Sequence, residues 1–108
     1  MPNQSKPATP IVGRRMRERR ETLVLAQENV GVAIGLDESC ARNRISRYEL
    51  GVHEPPLNTV KLLAHVLQVP LPYFYCEEED IAQLLLALYA LPAKQRKERV
   101  SAFLEQIP

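Results

Sequence analysis

The chain of 108 residues contains no tryptophan, two phenylalanines, four glycines and two cysteines. With so few large aromatic side chains, we expect one domain whose core is built mainly from leucine, valine, isoleucine and alanine. Cys40 and Cys76 lie far apart and without a CxxC spacing, so the sequence carries neither a disulfide framework nor a zinc-site pattern. We therefore expect two unpaired, reduced thiols.

The sequence also lacks long apolar runs and catalytic patterns. The longest apolar run, Leu84 to Leu91, is far below the roughly 18 residues that cross a membrane, and the polar, proline-rich N-terminus has no signal-peptide pattern. We find no glycine-rich phosphate loop and no nucleophile with a plausible base, and the spacing of His53 and His65 fits no metal site. The sequence predicts a cytoplasmic protein that is not an enzyme and has no cofactor, metal or small-molecule ligand.

Charge is distributed unevenly along the chain. Residues 1–51 hold nine Lys/Arg and six Asp/Glu, whereas residues 52–108 hold five and seven. The basic excess is mild, but it coincides with the half that contains most of the arginines.

The hydrophobic periodicity predicts an all-α protein in three parts. Residues 1–10 form a polar, flexible N-terminal arm, in which Thr9 can cap the first helix and Pro10 suits the first helical position. Residues 11–76 form a helical domain, and residues 77–108 form two further helices separated at Leu91-Pro92. Gly31 favours the close approach of a second helix, and Gly35 can take the positive φ that ends one.

Two short helices around the turn at Gly35 carry the strongest functional signal. The second helix is capped by Asp37 or Ser39 and ends at Gly51. Its apolar stripe consists of Ala41, Ile45 and Tyr48. The opposite face carries Ser39, Asn43, Ser46 and Arg47, with Arg42 and Arg44 flanking it. Arginine and asparagine on an exposed helix face can make bidentate hydrogen bonds to guanine and adenine in the major groove.

These residues resemble the Xre family, the helix-turn-helix class of lambda-type phage repressors and their bacterial relatives. The resemblance rests on Gln27, Gly31, Ile34-Gly35-Leu36, Ile45-Ser46-Arg47-Tyr48-Glu49-x-Gly51 and Pro55-Pro56. It implies a five-helix, lambda-repressor-like domain over residues 11–76 and binding of double-stranded DNA by a bacterial or phage regulator, usually a dimeric repressor. It also implies that Gln27 contacts the DNA backbone. The groove-facing positions would be Arg42, Asn43, Arg44 and Arg47, while Tyr48 and Glu49 are structural, Glu49 with an arginine partner on the first helix.

The sequence departs from the family pattern in three places. Ala26 replaces the usual Ser or Thr cap, and Val24 replaces a glycine common in the preceding turn. Eight residues separate Leu36 from Ile45, about four more than usual. Four residues make about one helical turn, so the insertion either lengthens the recognition helix in phase or widens the loop before it.

The first helix and the C-terminal helices each allow two interpretations of their exposed residues. The five arginines of the first helix form either a solvated helix face or phosphate contacts, and the phosphate contacts would be Arg14, Arg15 and Arg17 ahead of Arg19 and Arg20. The C-terminal helices either complete the core or supply a dimer interface, which we expect to consist of Leu84, Leu85, Leu88, Leu91, Phe103 and Leu104. The sequence therefore predicts a homodimeric transcriptional repressor at a palindromic operator. The alternative is an antitoxin or anti-regulator whose C-terminal helices bind a protein partner.

Overall fold

Six α-helices and one short 3₁₀ helix make up residues 10–108, the part of the chain that the computed structural model describes. The helices are α1 (Ile11–Thr22), α2 (Gln27–Ala33), α3 (Glu38–Leu50), α4 (Leu57–Leu67), α5 (Glu79–Ala90) and α6 (Ala93–Gln106), with the 3₁₀ helix Leu71–Tyr75 between α4 and α5. The described residues contain no strand, which confirms the all-α prediction. The expected arm, apart from Pro10, and the expected Thr9 cap lie outside the described residues. The expected first helical position of Pro10 is wrong by one residue, because α1 begins at Ile11 and Pro10 is its N-cap residue.

None of the helices in residues 10–108 combines the length and the apolar character that crossing a membrane requires.

Helices α1 to α4 and the 3₁₀ helix enclose a single core. Its largest fully buried apolar side chains are Phe74, Met16, Ile45, Leu63, Leu67, Val30, Val60 and Val69. The expectation of a mainly aliphatic core is incomplete, because Tyr73 and Phe74 are 2 % and 0 % exposed. Pro70 and the tight 3₁₀ helix that follows turn these two rings inward, where their centroids lie 5.9 Å apart in an edge-on arrangement.

Helices α2 and α3 approach each other closely at Gly31. A Cβ atom added there would lie 2.6 Å from the Cβ of Ala41 and 2.8 Å from its carbonyl oxygen, so only glycine fits. This confirms the predicted close approach. The turn between the two helices contains Gly35 at φ +97°, the left-handed conformation expected of it. Gly51 ends α3 at φ +77° in the same way.

Helices α5 and α6 form a pair that buries little of its own surface. Ala82 is the one fully buried residue of α5, and α6 has none. The chain between the two helices is extended at Leu91 and Pro92. Most of the apolar surface of this pair therefore does not contribute to the core of the chain.

Candidate DNA-binding surface

Helix α3 is continuous over thirteen residues, from Glu38 to Leu50. The carboxylate of Asp37 caps it by accepting a hydrogen bond from the backbone N–H of Ser39 at 3.0 Å, and the Ser39 hydroxyl donates to the same oxygen. These bonds, the hydroxyl first and the backbone second, lower the pKa of Asp37 below its ordinary value. The extra residues before Ile45 therefore lengthen α3 by about one turn and do not widen the loop.

The buried and exposed sides of α3 agree with its periodicity. Ala41, Ile45 and Tyr48 are 0 %, 0 % and 5 % exposed, which confirms the predicted stripe. Glu49 is also buried and extends this stripe toward α1. The remaining side chains include Ser39, Arg42, Asn43, Arg44 and Arg47, which are exposed, and Ser46, which is half-buried. The structure thus places every predicted base-reading side chain of α3 in contact with solvent. Their contacts with bases stay a prediction.

Three arginines on α3 carry charges that no acidic neighbour neutralises. Within residues 10–108, neither Arg42 nor Arg44 nor Arg47 takes part in an ion pair. Each guanidinium offers five N–H donors in a planar fork that suits guanine edges and phosphates. Helix α3 therefore presents three cations whose donors are available to an external acceptor.

Gln27, the first residue of α2, is held in place by a buried carboxylate. Its amide nitrogen donates to Oε1 of Glu49 at 3.0 Å, and Glu49 accepts two further hydrogen bonds from Arg20. Arg20 also donates to the carbonyl oxygen of Leu25 at 3.0 Å, in the link between α1 and α2. With one amide N–H used internally, Gln27 keeps a second N–H and its carbonyl oxygen for an external partner, and its contact with the DNA backbone stays a prediction. The predicted ion pair of Glu49 with an arginine of the first helix is confirmed.

A concavity of about 390 Å³ lies beside this network. It is lined by Arg17, Arg20, Gln27, Ser46, Glu49 and Leu50. Leu50 was not among the site residues predicted from the sequence. Leu50 follows Asn43 by seven residues, which places it on the same helix face, and it is 60 % exposed. Helical spacing alone would have identified it.

The arginines of α1 have different environments. Arg14 and Arg17 are exposed, and Arg17 pairs with Glu21 at 3.2 Å on the surface. The expected phosphate contact of Arg15 is wrong, because its side chain is 0 % exposed. Arg15 follows Val12 by three residues and precedes Met16, so it lies on the inward side of α1. This spacing was the signal that the sequence analysis overlooked.

The residues expected to form a dimer interface fall into two groups. Leu84, Phe103 and Leu104 are 43 %, 50 % and 61 % exposed. Leu85, Leu88 and Leu91 are half-buried. All six thus retain accessible apolar surface in the single chain, and their role in assembly stays a prediction.

Comparison with known proteins gives concordant results. The Helix-turn-helix family model HTH_3 matches residues 16–74. An uncharacterized transcriptional regulator in the ATPase CF(0) region of Rhodospirillum rubrum is 34 % identical over 68 residues, which cover 63 % of this chain and 59 % of that relative. The match thus spans less than two thirds of the relative's length. The crystal structure of the transcriptional regulator BswR superposes with a TM-score of 0.79 at 37 % identity, covering 88 % of this chain and 93 % of that one.

Proposed function

The chain belongs to the Xre-type helix-turn-helix family of DNA-binding transcriptional regulators, and we propose that it binds a palindromic operator as a homodimer and represses transcription there. The observation that carries the proposal is the exposed side of α3. It combines three unpaired guanidiniums with Asn43 on a helix that is capped and packed against α1 and α2. Repression follows most simply from occupancy, since a dimer on promoter DNA excludes other proteins from it.

Within this proposal, the side chains divide into two roles. Asn43 and Arg47 read bases, because their amide and guanidinium can bond adenine and guanine in a bidentate manner. Ser39, Arg42, Arg44 and Ser46 lie around them on α3 and contact neighbouring bases or phosphates. Gln27, Arg14 and Arg17 contact the DNA backbone, which positions the protein without reading sequence.

The dimer is supported by the surface of α5 and α6. A palindromic operator needs two reading helices about 34 Å apart, and one chain supplies one. Phe103 and Leu104 of α6 and Ile107, which follows it, are each at least half exposed, which is costly unless another surface covers them. The acidic run Glu77 to Asp80, in which Glu79 is paired with Arg15, lies at the start of α5, and the basic residues Lys94, Lys97 and Arg99 lie on α6. A two-fold axis can bring such opposite charges of two copies together.

A protein partner is the second candidate for the same surface. An antitoxin or anti-regulator would also present exposed apolar side chains and an acidic run on its C-terminal helices. The two candidates differ in what the purified protein does alone. Sedimentation of the isolated chain as a dimer supports self-association, whereas a monomer that forms a complex with a second polypeptide from its host supports the alternative.

The proposal is tested by recovering and sequencing the duplexes that the purified protein binds from a random DNA library at about 0.15 M salt. We expect a dyad-symmetric sequence with half-sites about one helical turn apart. Asn43→Ala and Arg47→Ala should each cost about 1–3 kcal/mol of binding and relax the preference at one base position. Lys61→Ala, at an exposed cation of α4, serves as the control and should keep the preference. A pool without a shared sequence refutes specific reading.

The backbone contacts are tested by the salt dependence of binding. Arg14→Ala and Arg17→Ala should weaken binding to all sequences alike and reduce the slope of log K against log salt by about 0.9 per lost phosphate contact. Arg14 and Arg17 are exposed, so these changes leave the core intact. If these two variants and the two α3 variants all bind like the wild type, the assigned surface is wrong.

A further inference from the structure

The α5–α6 pair (residues 79–106), which we call the C-terminal arm or simply the arm from here on, is joined to α1 by the buried side chain of Arg15. Its Nε and Nη2 atoms donate to the carbonyl oxygen of Cys76 at 3.1 and 2.8 Å, just before α5 begins. Its Nη1 atom donates to the carboxylates of Glu79 at 2.8 Å and Glu18 at 3.2 Å. The guanidinium carbon lies 5.4 Å from the centre of the Tyr73 ring. These contacts of Arg15, which we call the first clasp, connect the first turn of α5 to α1.

A second arginine holds the bend between α5 and α6. The Nε atom of Arg96 donates to the carbonyl oxygen of Leu88 at 3.0 Å, and Nη2 donates to those of Tyr89 and Leu91 at 3.2 and 2.9 Å. Its guanidinium carbon lies 5.0 Å from the centre of the Tyr89 ring. The carbonyls of Tyr89 and Leu91 lie at the end of α5, where a helix leaves its last acceptors without intrahelical partners, and that of Leu88 also accepts from the backbone N–H of Leu91 at 3.2 Å. This elbow clasp therefore fixes the direction in which α6 leaves α5.

The hydrogen bonds of the two clasps are important because few side chains of α5 and α6 are fully buried against the rest of the chain. Ala82 is the one residue of α5 that is fully buried, Leu85 and Leu86 are half-buried against the core, and α6 has no fully buried residue. A helix pair with so few buried side chains can change its direction at little cost in apolar contacts. Hydrogen bonds from two guanidiniums at the base and the bend thus supply much of the restraint on the arm.

We propose that Arg15 and Arg96 are positioning residues for operator recognition, which hold the arm rigid and thereby set the spacing between the two half-sites that a dimer can bind. This inference rests on the dimer proposed above. A rigid connection makes binding of the second half-site favourable at one separation only, whereas a flexible connection accepts several. The two clasps thus determine which separation of the half-sites is bound, while α3 determines which base sequence is bound.

The test uses duplexes that carry two selected half-sites and spacers varied in single base pairs over about one helical turn. Glu79→Lys places a like charge beside Arg15 at an exposed position, and Arg96→Gln removes the elbow clasp without touching the reading domain. Two controls match these changes in charge. Glu54→Lys alters an exposed acid in the loop before α4, and Lys61→Gln alters an exposed cation of α4, so both lie outside the proposed dimer surface. Binding to a single half-site and the sedimentation of each protein are measured in parallel.

We expect the wild type and both controls to prefer one spacer by about tenfold, and both clasp variants to reduce this preference to about twofold. Single half-site binding and dimer formation should remain at the level of the matched control. A sharp preference retained by both clasp variants overturns the inference. Loss of single half-site binding or of the dimer also overturns it, because the arginines would then be needed for the structure of the DNA-binding domain (residues 11–76) or of the dimer interface. If the wild type shows no spacer preference, the proposal that a dimer binds two half-sites is refuted, and the proposed role of Arg15 and Arg96 in half-site spacing is refuted with it.

Discussion

The guanidinium of Arg20 on α1 and the carboxylate of Glu49 on α3 are joined by two hydrogen bonds, of 2.6 and 3.0 Å. Their side chains are 14 % and 3 % exposed, so the pair is largely removed from water. The hydrogen bond with Glu49 is the main reason why the pKa of Arg20 is raised above its ordinary value. Since Glu49 also accepts from Gln27, this one ion pair orients α1, α2 and the recognition helix relative to each other.

Glu49→Gln should therefore destabilise the protein strongly. The change leaves the Arg20 guanidinium buried without its counter-charge, and we expect a loss of about 3 kcal/mol in the free energy of unfolding. Urea denaturation followed by circular dichroism measures it. Glu21→Gln is the control, because the Arg17–Glu21 pair is exposed and should contribute less than about 0.5 kcal/mol. Equal losses in the two variants would show that the buried pair has no special importance.

Val24→Gly should stabilise the protein. Val24 has φ +57° and is 88 % exposed, so it carries backbone strain and buries almost nothing. Relief of about 1–2 kcal/mol of left-handed strain exceeds the roughly 0.5–1 kcal/mol that glycine loses in conformational entropy. A higher melting temperature is the expected result. Val32→Gly, at an exposed valine inside α2, should lower it by the usual helix penalty. The idea fails if both glycines destabilise.

Ala26→Ser should stabilise α2 by providing the missing cap. Ala26 is the N-cap residue, with extended backbone at φ −79° and ψ 152° and no side-chain hydrogen bond. A serine hydroxyl there can accept from the free N–H groups of the first turn, which contributes about 1 kcal/mol. Chemical denaturation of Ala26→Ser and of Ala87→Ser measures the contrast. The second serine lies within α5 and should cost about 0.5 kcal/mol. No gain at Ala26 would mean that the hydroxyl does not reach an N–H group.

The cap of α3 should make stability depend on pH. Because the folded-state pKa of Asp37 is lowered, its contribution is present above the unfolded pKa of about 3.9 and is lost as pH falls through the folded value. Asp37→Asn keeps a capping oxygen that does not titrate. We expect the wild type to exceed this variant in melting temperature near pH 6, and the difference to shrink below about pH 4. A difference that stays constant over this range would show that the charge of Asp37 is not involved.

Local patterns in the sequence were sufficient for much of the candidate surface. The repeat of Ala41, Ile45 and Tyr48 identifies the buried side of α3, because a helix returns to the same face every 3.6 residues. The positive φ values of Gly35 and Gly51 could be predicted for a similar reason, since they depend on the chain's own backbone and on the absence of a Cβ atom. Most of the features that were predicted correctly thus have a short range in sequence; the pair of Glu49 with an arginine of α1, 29 residues away, is the exception.

Other features depend on partners that are distant in sequence, and these only the tertiary structure decided. Helical spacing puts Arg15 on the inward side of α1, but its guanidinium can be buried there only because Cys76 and Glu79, 61 and 64 residues away, supply its acceptors. The sequence by itself thus determined the helices, their caps and the face that α3 exposes, because these follow from contacts within a few residues. Which arginines are available to DNA and how the arm is held were decided by packing, because the energy of a buried charge depends on acceptors that only the folded chain brings to it.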